Sequence, residues 1–199
     1  MSATSVSAIG RRERKKAATR AALADAALRM FLERGYDNVT VREIADAADV
    51  STTTLLKHFP SKEALVFDRD TELEAALVGA VTDRPAGVSV PRALRDYIAR
   101  TRIDLFTTDE RDEFLDLVRA TPALSEYWHK MLMRHQDALA RAIAAETSAP
   151  SDDPRCAALA HFALEASALA GRAADPLAAV YAAFDLLERG WGAGAGDGV

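Results

Sequence analysis

Three features of this 199-residue sequence predict an all-α fold. Apolar residues recur at helical spacing, helix caps and prolines mark the starts and stops, and no stretch alternates as a strand would. The pattern divides into a three-helix N-terminal domain over residues 11–65 and a C-terminal bundle of about five to six helices over residues 66–191. Residues 1–10 are small and polar and residues 192–199 are rich in glycine, so a disordered start and a flexible tail are expected.

The first helix is predicted over 12–34, with Ala24, Ala27, Leu28 and Phe31 inward and Gly35 as its stop. Thr40, with Glu43 three residues on, has the form of a capping box for a short helix at 41–47, whose inner face is Ile44, Ala45 and Ala48. Ser51 caps a second short helix at 52–58, and Phe59-Pro60 ends it, because the residue before proline is pushed out of helical geometry. Two short helices joined by a tight turn form a helix-turn-helix, whose second helix enters the DNA major groove. Ser51, Thr52, Thr53 and Thr54 are short donors and acceptors suited to base edges or phosphates, and Lys57, His58 and Lys62 follow where the backbone would pass. Arg42 projects from the first turn of the helix before it; read without the motif, it is a solvated arginine.

A further helix is predicted from Ser61 to about Val81, burying Leu65, Val66, Leu73, Leu77 and Val81, and TDRPAGVSVP at 82–91 ends it. Helices then follow at 91–107, 109–120, 122–147, 154–173 and 176–190. Thr121-Pro122, Asp153-Pro154 and Asp175-Pro176 each place a capping side chain before a proline at the first helical position.

The net charge of −5 looks unsuited to nucleic acid until it is divided. Residues 1–60 hold ten Lys/Arg against seven Asp/Glu, and the remaining residues hold fifteen against twenty-three. The most basic run is RRERKK at 11–16, where Arg11, Arg12, Arg14 and Lys15 are candidate phosphate or minor-groove contacts. The single Cys156 excludes an intrachain disulfide and points to a reducing compartment. No 18-residue uncharged apolar run would span a membrane and the N-terminus lacks a secretory pattern, so a cytoplasmic protein without membrane contact is expected.

Residues 12–65 resemble the DNA-binding domain of the TetR family of bacterial regulators. The resemblance is carried by Ala26, Phe31, Gly35, Tyr36, Thr40, Ile44, Ala45, Val50, Ser51, Leu55, His58, Phe59, Lys62 and Leu65. It implies a transcriptional regulator, a repressor by analogy, that binds a palindromic operator in double-stranded DNA as a homodimer and is released by a small-molecule effector. Two positions depart from the family pattern. Asp49 stands where glycine is usual in the turn, and Asp tolerates positive φ better than most residues. Leu56 stands where a tyrosine usually reaches a phosphate, a contact leucine cannot make.

The resemblance implies dimerisation through the last two predicted helices, 154–173 and 176–190. Their apolar residues occupy more than one face, as expected for helices that pack both inward and on a partner. An effector would sit among the helices at 91–107, 109–120, 122–147 and 154–173. Tyr97, Thr101, Phe114, Trp128, Met131, His135 and Phe162 are the candidate lining, since aromatics and methionine around a few polar groups suit a small hydrophobic ligand. The same residues also describe an ordinary core. The segment from Phe67 to Trp128, with RPAG at 84–87 and ATPAL at 120–124, resembles family members thought to sense acyl-CoA-like effectors.

No cofactor, metal or catalytic site is expected. His129 and His135 are six apart, and Cys156 and His161 five apart, neither the i, i+4 spacing that shares a metal on a helix. No nucleophile elbow, P-loop or dinucleotide fingerprint is present. Two rival readings remain at this level: a sequestering protein whose DNA-binding domain has degenerated, favoured by Asp49 and Leu56, and an enzyme with a polar site in the helical bundle.

Overall fold

The computed structural model describes residues 10–105, 109–170 and 173–195, and among them every regular element is helical. The elements are α1 (Arg11–Arg34), α2 (Val41–Ala47), α3 (Thr52–His58), α4 (Glu63–Val66), α5 (Asp70–Thr82), α6 (Val90–Leu105), α7 (Asp109–Ala120), α8 (Pro122–Glu146), α9 (Pro154–Ala170) and α10 (Pro176–Ala195), with a short 3-10 turn at Tyr36–Asn38. They form two compact units, one of residues up to Arg69 together with Glu113–Ser125, the other of Asp70–Asp112 and Glu126 onward.

The local rules that predict the first unit operate as expected. Gly35 takes φ 81° and its amide donates to the Phe31 carbonyl at 2.9 Å, which closes α1 with a residue that has no Cβ to clash. The Thr40 hydroxyl accepts from the Glu43 amide at 3.2 Å, and a Glu43 carboxylate oxygen accepts from the Thr40 amide at 2.8 Å, completing the capping box of α2. Ser51 accepts from the Thr54 amide at 3.1 Å and so caps α3. Between them Asp49 adopts φ 52°, the left-handed conformation that the missing glycine would otherwise supply. Leu23, Ala27, Phe31, Ile44, Leu55 and Phe59 are fully buried, and α1 packs against α2 and α4 while α2 packs against α3.

The single helix predicted from Ser61 to Val81 is instead two. Ser61 does cap the first of them, accepting from the Ala64 amide at 3.3 Å, but Phe67 leaves helical geometry at φ −109°, ψ 47°. The break coincides with burial on every side: Ala64, Leu65, Val66 and Phe67 are buried in succession, and the Asp68 carbonyl just past it accepts from Arg20 at 2.7 Å. Leu73, expected to face inward, is 37% exposed, whereas Leu77 and Val81 are buried as predicted.

In the second unit, α5, α6, α8, α9 and α10 share a core that includes Val81, Leu94, Ile98, Leu139, Ile143, Leu159, Val180 and Phe184. The inward stripe of α9 is Cys156, Leu159, Ala160, Ala163, Ala166 and Ala170, so small side chains let neighbouring helices approach. Its outward face carries Phe162 and Leu169, and α10 likewise exposes Tyr181 and Leu186. The helix expected to stop at 190 continues to Ala195, because glycine lowers helix propensity without forbidding the conformation. Residues 1–9 and 196–199, expected to be disordered and flexible, lie outside the described residues, as do the expected helix ends at 106–107 and 171–172.

The turn supplies a stability test. Asp49→Gly should raise the unfolding free energy by about 0.5–1 kcal/mol and Asp49→Val should lower it by about 1–2 kcal/mol, measured by chemical denaturation, since only glycine takes this φ without a Cβ penalty.

Candidate nucleic-acid interface

The rotation of α3 about its axis is set by two side chains. Leu55 and Phe59 are fully buried, so helical spacing turns Thr52, Thr53, Leu56 and Lys57 outward, and all four are exposed. Thr54 and His58 lie at the margin, half-buried, and the Thr54 hydroxyl is 2.9 Å from that of Ser51. Burial lowers the His58 pKa, with the charges of Arg20 and Lys16 adding to the effect, so the imidazole is held towards its neutral form.

A residue that the sequence reading missed holds this helix in place. Arg20, on α1, lays its guanidinium 4.2 Å from the centroid of the Phe59 ring. One of its terminal nitrogens donates to the His58 carbonyl at 2.8 Å and the other to the Asp68 carbonyl at 2.7 Å. The first carbonyl belongs to the last turn of α3, where acceptors lack helical partners, and the second to the break between α4 and α5. One planar side chain therefore ties the end of the recognition helix to the start of the following segment. Periodicity could not reveal this, since the acceptors are main-chain atoms 38 and 48 residues away.

Arg11, Arg12, Arg14 and Lys15 form the first turns of α1 and are exposed, a basic end to a helix whose N-terminal dipole already favours anions. Arg42 is 85% exposed, with Asp46 3.9 Å away on the next turn. The Thr40 hydroxyl is committed to the capping box, where it also donates to Glu43 at 2.7 Å. Lys62 departs from the expected phosphate contact. Its ammonium donates to the Tyr36 carbonyl at 2.5 Å and stands 3.9 Å from the Tyr36 ring centroid, and burial lowers its pKa. The Tyr36 hydroxyl in turn donates to Glu63 at 2.7 Å, so the half-buried Lys62 is tied into the packing of α4 against the turn after α1.

The expected effector residues are divided between the two units. Tyr97 packs at the edge of the second core, and the Thr101 hydroxyl donates to its carbonyl at 2.9 Å. Phe114 falls in the first unit, edge-on to Phe67 with ring centroids 6.0 Å apart. Met131 is buried and Trp128 half-buried. His135 is 5% exposed, with Nε2 2.7 Å from Asp70 and 3.9 Å from Glu74, and Arg134 also pairs with Asp70. Phe162 is a correction: at 51% exposure, on the outward face of α9, it does not line an interior pocket. It faces out because Cys156, Leu159, Ala160, Ala163 and Ala166 take the inner stripe. Among the described residues, no group of three or more His, Cys, Asp or Glu side chains could hold a metal ion, and no helix is long and apolar enough to cross a membrane.

A short helix clamped at its end, with a polar and basic outer face and a cationic first helix beside it in the chain, defines a helix-turn-helix DNA-binding regulator. The sequence profile of "Bacterial regulatory proteins, tetR family" matches residues 23–68. The HTH-type transcriptional regulator TcmR of Streptomyces glaucescens is 33% identical over 151 residues, which are 72% of this chain and 67% of that protein. The HTH-type transcriptional repressor Rv1474c of Mycobacterium tuberculosis is 34% identical over 113 residues, 56% of this chain and 57% of that protein. A solved structure of the SmeT–triclosan complex is similar in fold, with TM-score 0.59, 19% identity, and coverage of 87% of this chain and 91% of that one. The chain belongs to the TetR family of bacterial regulatory proteins, and it is a DNA-binding transcriptional regulator.

Two measurements test the geometry of this domain. Arg20→Ala removes two charge-assisted hydrogen bonds and a ring contact; it should lower stability by about 3 kcal/mol and raise amide exchange in α3 before α9 responds. Glu43 gives a pH test. Hydrogen bonds from Arg34 and Thr40 lower its pKa from an ordinary 4.5 to about 2. The folded state thus binds fewer protons than the unfolded chain, and the contribution of the box is complete above pH 4.5 and lost as pH falls towards about 2. Glu43→Gln should flatten that part of the acid-denaturation profile.

Proposed function

We propose that this chain is a cytoplasmic, homodimeric repressor that binds a palindromic operator and leaves it when a small hydrophobic effector binds its C-terminal bundle. The observation that carries the DNA-binding reading is the outward face of α3, exposed at Thr52, Thr53, Leu56 and Lys57 over a helix whose other face is fully buried. In this reading Thr52 and Thr53 approach base edges, Ser51, Thr54, Lys57 and His58 flank them, and Arg42 and Thr40 stand at the start of α2. Arg11, Arg12, Arg14 and Lys15 neutralise phosphates. Lys62 has no direct role and holds α4 instead.

Dimerisation through α9 and α10 is supported by Phe162, Leu169, Tyr181 and Leu186, large apolar side chains exposed on those two helices. Two recognition helices on a two-fold axis would match half-sites about 34–36 Å apart. Repression is supported by the similarity to the repressor Rv1474c, and a small-molecule effector by the triclosan complex of a protein with this fold. Tyr97, Thr101, Trp128, Met131 and His135 are the residues of the second unit proposed to meet it. The effector would lower DNA affinity by its differential affinity for two conformers, only one of which fits the half-site spacing.

Selection of bound sequences from a random DNA pool at physiological salt tests the reading. It should recover one palindromic motif; recovery of none by a folded dimer would favour a degenerate DNA-binding domain. With that motif in hand, Thr53→Ala should relax discrimination at one position of each half-site. Lys57→Ala should weaken binding to all sequences and lower the salt slope by about one. Phe162→Glu should shift the protein to monomer in sedimentation equilibrium, and unchanged mass would place the dimer contact elsewhere.

A further inference from the structure

We propose that Leu56 is a specificity-determining residue that reads the C5-methyl group of a thymine in each half-site; the inference rests on α3 entering the major groove. Seven large apolar side chains are exposed among the described residues, and six of them lie in the second unit. Leu56 is the exception, 51% exposed in the middle of a surface otherwise made of Thr52, Thr53 and Lys57. Its orientation is no accident of a loose loop. It follows Leu55, which is fully buried, on a helix capped by Ser51 and clamped by Arg20, so it cannot turn inward without dislodging that neighbour.

The chemistry of the groove narrows what such a side chain can do. Leucine neither donates nor accepts hydrogen bonds, so it cannot serve the phosphates, and against a donor or acceptor base edge it would only strip water from a polar group. The one apolar feature on the major-groove edges of the four bases is the thymine methyl. Thr53 precedes Leu56 by three residues, a rise of about 4.5 Å along the helix. A base-pair step is about 3.4 Å, so the thymine should lie within about two base pairs of the position that Thr53 reads. A residue at this place that binds a phosphate would add affinity to every sequence alike, whereas one that meets a methyl group adds affinity only where that methyl is present.

The test uses the full-length protein and the palindrome recovered by selection. Each thymine is replaced in turn by deoxyuridine, which deletes the methyl group and nothing else. One symmetric pair of replacements should weaken binding by about fourfold per half-site, or about fifteenfold for both, from the loss of one buried methyl each. Leu56→Ala, at a site whose exposure leaves folding intact, should bind thymine and deoxyuridine duplexes equally. Thr53→Ser, which deletes the competing threonine methyl, should keep the difference. The inference is overturned if no replacement matters, if the effect survives in Leu56→Ala, or if the palindrome has no thymine within reach of the Thr53 position. Absence of any sequence-specific binding would instead defeat the DNA-binding reading itself, and the inference with it.

Discussion

The contact on which the DNA-facing geometry depends is the guanidinium of Arg20 stacked on Phe59. A seven-residue helix is too short to persist on its own, so α3 exists because tertiary packing holds it. Leu55 and Phe59 anchor it by burial and Ser51 caps its beginning, but its last carbonyls have no partner within the helix and need a donor. Arg20 supplies one, and spends its second nitrogen on Asp68 in the break that follows α4. A lysine could satisfy one of these acceptors as a point donor; only the planar fork reaches both while its Cζ stays 4.2 Å from the ring centroid. The recognition helix and the α4–α5 break are thereby joined through one side chain of α1, so a shift in either is felt by the other.

Lys62 and Tyr36 do comparable work elsewhere in the same domain. A cation placed over an aromatic ring and hydrogen-bonded to a main-chain carbonyl gives α4 a polar tie to the turn after α1, and Glu63 on the Tyr36 hydroxyl completes it. The arrangement shows how a basic residue in a DNA-binding domain can be structural. Arg20, one of the ten cations of residues 1–60, is likewise committed to two main-chain carbonyls, so that count overstates the cations free to meet phosphates.

What was legible in the sequence was whatever short-range rules decide. The capping box at Thr40, the cap at Ser51, the stop at Gly35 and the proline after Phe59 all lie within a few residues of the structure they determine, and the helices begin and end there. The three proline-marked helix starts at 122, 154 and 176 are observed for the same reason. What escaped is set by partners distant in sequence. The break at Phe67 coincides with the burial of Ala64 to Phe67 in succession, the clamp of Arg20 follows from carbonyls on other segments, and the exposure of Phe162 from which stripe of α9 the other helices of its unit occupy. His135 reads as a plausible ligand contact in sequence, yet its ring nitrogen meets Asp70, 65 residues earlier, and no spacing rule connects the two. The family resemblance added roles to residues but could not say which lysine has its charge turned inward.

The outward face of α3 shares no side chain with the domain's interior. Leu55 and Phe59 hold the helix, whereas Thr52, Thr53, Leu56 and Lys57 contribute little to that hold. Foldedness and operator preference are thus written in separate letters of one short word, Thr52 to Phe59. Natural variation could respell the reading face after a gene duplication without first acquiring a compensating core mutation, and a directed library confined to those four positions would sample new operators with few clones lost to misfolding.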